Sequence, residues 1–95
     1  MRIEITNGIT LVDGEAGTVF VTRPNMRGKY VTHPITSEYA IQDIAKWLTA
    51  RFARTANPMV QNAFPNMSVG DREFLMTGIT PTEWAAMFPP EEDEE

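Results

Sequence analysis

The chain has no cysteine and a single histidine, His33, among its 95 residues. The first absence removes disulfides, on which secreted domains of this size usually lean, so a reducing interior is expected. The second leaves zinc one imidazole at most, and a site completed by carboxylates and water suits that ion poorly. No metal and no cofactor is therefore expected. Long apolar runs are missing too: none approaches the roughly 18 residues of a membrane-spanning helix. Met1-Arg2-Ile3-Glu4-Ile5 alternates like a strand and does not read as a signal peptide. A soluble, cytoplasmic protein without membrane contact is the expectation.

Catalytic constellations are equally scarce. Asp71 and Glu73 lie two apart on an expected helix and so point roughly 200° apart, away from any shared proton. Ser37 and Ser68 are better explained as helix caps than as nucleophiles, because neither sits in a glycine-rich elbow. Gly14-Glu15-Ala16-Gly17 is too short and too acidic to cradle phosphate. His33, just before Pro34, reads as a solvent-facing or turn-bonded histidine. The chain is not expected to be an enzyme.

What is present is a sharply divided charge pattern. The net charge of −5 comes entirely from Glu91, Glu92, Asp93, Glu94 and Glu95, because residues 1–90 balance eight Lys/Arg against eight Asp/Glu. Residues 23–54 hold six basic groups and two acidic ones. A basic waist precedes an acidic tail, and the tail has nothing to bury, so it is expected to be disordered.

The periodicities point to an α+β domain over residues 1–90. Residues 1–33 alternate as an antiparallel meander of three to four strands. Asn7-Gly8 marks its first hairpin. A two-residue loop would put Ile3 and Ile5 on the face opposite Ile9 and Leu11, whereas a three-residue loop, Thr6-Asn7-Gly8, pairs Ile5 with Ile9 and Ile3 with Leu11. The second option unites all four on one core face and is preferred, with Gly8 left-handed in a type I turn plus bulge. Further turns fall at Asp13–Gly17 and Arg23–Gly28, and Pro34 ends the last strand.

Ser37 then caps a helix over 38–54, whose stripe of Ile41, Ile44, Ala45, Leu48 and Phe52 suits a lid for the meander. Met59 to Met67 reads as a connector with one irregular turn. Two short helices over 68–88 form a hairpin. Ser68 with Asp71 resembles a capping box, Gly78 is a left-handed stop, and Thr80-Pro81-Thr82-Glu83 is a stronger start with proline at the first helical position.

Phe64-Pro65-Asn66-Met67-Ser68 followed by Asp71-Arg72-Glu73-Phe74-Leu75-Met76-Thr77-Gly78-Ile79 resembles a motif near the C-terminus of small uncharacterised bacteriophage proteins. The likeness covers residues 61–95. It implies a phage origin and hence a bacterial host cytoplasm, and it brings no established activity and no functional residues.

Two surfaces remain as candidates. Trp84, Met87 and Phe88 share one helical face and suit an adaptable protein-docking patch, with Phe74, Leu75 and Met76 in the preceding helix beside them. Their bland alternative is packing on the chain's own core, with a homo-oligomer in between. Arg23, Arg27 and Lys29 with Tyr30, together with Arg51 and Arg54, form a basic surface able to track a phosphate backbone or to meet an acidic protein surface, although a solvated loop and helix end is the favoured, bland alternative. The leading expectation is a non-enzymatic phage-encoded interaction protein that binds a host or phage protein, as modulator or assembly accessory. A nucleic-acid binder using residues 23–54 is the alternative.

Overall fold

Asn7 and Gly8 set the register from which the sheet is built. In the computed structural model, which describes residues 1–87, Ile3 of β1 (Arg2–Glu4) lies opposite Leu11 of β2 (Thr10–Asp13). The Ile5 amide donates to the Ile9 carbonyl at 2.9 Å. This is the register of the longer loop, and it puts Ile3, Ile5, Ile9 and Leu11 against one core. The turn itself differs from expectation. Asn7 at φ 65° joins Gly8 at φ 76° in the left-handed region, the signature of a type I′ Asn-Gly turn, with the Ile9 amide turned back toward the Thr6 carbonyl.

The meander continues through β3 (Thr18–Pro24) and β4 (Tyr30–Thr36), each strand antiparallel to its neighbour in the order β1-β2-β3-β4. Pro34 does not end β4. It pairs with Phe20 inside the strand, and the strand runs on through buried Ile35 to Thr36. β4 is an edge strand, where proline is tolerated because its missing N–H faces away from the ladder. By the same alternation Thr36 also turns its N–H outward, and that donor is taken by Asp71 Oδ2 at 3.3 Å. The outer edge is thus blunted by a proline and a carboxylate, which discourages pairing with another strand.

All the helical cover lies on one face. α1 (Ile41–Ala53) packs on β2, with Ile44 and Leu48 fully buried in one cluster with Leu11, Val21 and Ile35. It begins three residues later than Ser37 allows, because the Ser37 hydroxyl accepts from the Tyr39 amide and leaves Ala40 as the cap. The connector contains α2 (Val60–Ala63) and is more than a linker, since Val60, Phe64 and Met67 are all buried in the same core.

α3 (Val69–Thr77) packs on β4 and is capped as expected by Ser68, whose hydroxyl accepts from the Asp71 amide. α4 (Pro81–Met87) starts with a reciprocal box: Thr80 Oγ1 accepts from the Glu83 amide at 3.1 Å while Glu83 Oε1 accepts from the Thr80 amide at 3.0 Å. Gly70, an odd residue for a helix, is explained here. A Cβ on it would lie 2.8 Å from the Pro81 ring, so glycine permits the close approach of the two helices. The acidic tail and Phe88, the expected last residue of the second helix, lie outside the described residues.

Candidate docking cleft

The cleft is made by a fixed turn and a helix brought back against it. Asn25 fixes the turn: its Oδ1 accepts from the Arg27 and Lys29 amides at 2.9 and 3.0 Å, and its own amide donates to the Lys29 carbonyl. This holds Met26 at the tip, 78% exposed. Gly78 then ends α3 at φ 81°, and a Cβ there would stand 2.7 Å from Asn25 Cα and 2.8 Å from the Pro24 carbonyl. Only glycine lets the end of α3 lie on this turn. The chain turns at buried Ile79, and α4 follows, so that a cleft of about 530 Å³ opens between Asn25, Met26 and Arg27 on one side and Glu83, Ala86 and Met87 on the other.

The expected docking residues divide accordingly. Met87 lines the cleft and is 54% exposed; Trp84 is on the same helix at 39% exposure but does not line it; Phe88 lies outside the described residues. α4 buries none of its residues. By contrast Phe74 and Leu75, offered as part of the same patch, are fully buried core.

The basic surface is corrected at Arg23, which is only 6% exposed. Its Nη1 donates to the Leu75 carbonyl at 2.7 Å, its Nε donates to the Pro24 carbonyl, and its guanidinium lies 4.9 Å over the Phe52 ring. Desolvation, with the charge of Arg51 second, pushes its pKa down to about 10, so it stays protonated at neutral pH. Arg51 remains exposed, yet its Nε donates to the Met76 carbonyl at 3.1 Å. Two guanidinium groups therefore hold consecutive carbonyls at the C-terminal end of α3, where the helix dipole favours cations. Arg27, Lys29 and Arg54 are exposed.

His33 is likewise neither solvent-facing nor part of a turn. Its Nε2 lies 2.8 Å from Asp71 Oδ1, both side chains are largely buried, and its ring sits 5.0 Å from that of Phe74. Asp71 thus joins β4 to α3 through a side chain and a backbone amide at once. Among the described residues no three His, Asp or Glu side chains converge on a metal-sized site.

Several of these placements had a signal in the sequence. Arg23 continues the inward parity of Val19 and Val21, and His33 shares the parity of Val31 and Ile35. Asp71 precedes Phe74 and Leu75 by three and four residues, which puts it on their face of α3. Met26, missed as a cleft residue, is an apolar side chain in an otherwise polar turn. The cleft holds an apolar floor, one cation and one carboxylate, an arrangement fitted to pack against a side-chain cluster and match its charge. No protein-family model, curated protein or solved structure matches the chain.

Proposed function

We propose that the chain is a non-enzymatic interaction protein of phage origin that docks another protein chain, host or phage, in the cleft beside α4. It would act by modulating that chain or by assisting assembly. The observation that carries this reading is the cleft itself: Met26 and Met87 stand exposed on its two sides, on a turn held by the Asn25 side chain and on a helix with no fully buried residue. Unbranched methionines are adaptable anchors, and they are enriched at the centres of protein interfaces. A helix of seven residues has little stability of its own, so it profits from any added apolar cover. The nucleic-acid alternative draws less support, because Arg23 is buried and Arg51 is engaged with α3.

Photoreactive residues placed singly at Met26, Met87 and Thr32 test the reading in bacterial cells. Thr32 is exposed on the sheet face away from the helices. A discrete adduct with a second polypeptide is expected from positions 26 and 87 and not from 32. Adducts from 32 alone, or from none of the three, would overturn it.

A further inference from the structure

We infer that the chain seated in this cleft is a second copy of the protein, related by a two-fold axis that sets Arg27 of one protomer against Glu83 of the other. This rests on the docking reading above and names its partner. A two-fold interface presents the same patch twice, so the patch must be complementary to itself. Apolar surface always meets that condition. Charge meets it only when both signs are present in positions that exchange under the rotation.

The cleft carries one of each sign on opposite walls, Arg27 on the turn and Glu83 on α4. Neither forms an ion pair among the described residues. Glu83 is also pre-positioned. Its Oε1 takes the Thr80 amide and hydroxyl at 3.0 and 3.3 Å, which holds the side chain in place at the start of α4. A side chain already ordered in the monomer loses little entropy when it binds. An acidic partner would match Arg27 and be repelled by Glu83, and a basic one would do the reverse, each at a cost. A second copy satisfies both, while Met26 and Met87 supply pliable apolar contact between the two charge pairs.

Sedimentation of the full chain tests this with a charge exchange. Arg27→Glu places like charges at both symmetry-related contacts, and so does Glu83→Arg with the opposite sign. Each variant alone should self-associate at least about tenfold more weakly than wild type. An equimolar mixture of the two should recover a 1:1 heterodimer, because every contact then joins opposite charges. Glu83→Arg also removes a helix cap, so Met26→Glu, on the exposed turn, serves as a second variant. It should weaken self-association with no change in the thermal melt when both proteins are compared as monomers at low concentration.

A wild-type chain that stays monomeric, a dimer indifferent to Arg27→Glu and Met26→Glu, or a mixture no tighter than its components overturns the inference. If the chain is monomeric while positions 26 and 87 still crosslink a different polypeptide, docking stands and self-docking fails.

Discussion

Phe74→Ala should cost about 3–5 kcal/mol of folding stability, as other large-to-small aromatic truncations in cores do. Phe74 is fully buried and is the largest such side chain among the described residues. Its ring lies 5.0 Å from that of His33, and its carbonyl receives the Gly78 amide at 2.8 Å. The cavity left by alanine would open between the sheet and α3, beside a polar pair that cannot collapse into it. Chemical denaturation reads the effect directly. A loss under about 1 kcal/mol would mean that α3 is not docked on β4 and that Phe74 belongs to a surface after all.

Arg23→Ala should cost about 3 kcal/mol, and Arg23→Lys should recover only part of it. The loss combines a buried charged hydrogen bond to the Leu75 carbonyl with the packing of the side chain on Phe52. A lysine ammonium is a compact point charge and cannot reproduce the planar fork that reaches both the Pro24 and Leu75 carbonyls. The burial penalty on the guanidinium, with its pKa near 10, is present throughout the neutral range and works against these gains. If denaturation shows Arg23→Ala to be within about 0.5 kcal/mol of wild type, the arginine is an ordinary surface cation and the basic waist regains its full membership.

The apolar skeleton was legible because strand parity and helical spacing agree wherever the side chain is aliphatic. Ile3, Ile5, Ile9 and Leu11 demanded one hairpin register, and the structure has it. The Ser68, Gly78 and Thr80-Pro81-Thr82-Glu83 boundaries were legible because capping is local chemistry that the surroundings rarely override. Arg23, His33 and Asp71 were not, since their polarity suggests solvent while their parity places them inside. Three things offset the cost of burying them: the carbonyls of α3, the Phe52 face, and the pairing of Asp71 with His33 and Thr36. They depend on α1 and α3 both packing on the sheet, long-range events that local pattern does not encode. The cleft was half legible for the same reason. Met87 sits on a readable amphipathic face, whereas Met26 comes near it only because Gly78 allows the end of α3 to touch the turn at Asn25.

Docking of a second copy of the protein in the cleft is tested most directly by methyl NMR of methionine-labelled protein over a dilution series. Of the six methionines, Met26 and Met87 line the cleft, Met59 is exposed elsewhere, and Met67 is buried in the core, so these four methyl groups report three separate environments. The Met26 and Met87 resonances are expected to move together with concentration while those of Met59 and Met67 stay fixed. Resonances of Met26 and Met87 that are indifferent to concentration, or a shift centred on Met59, would contradict it.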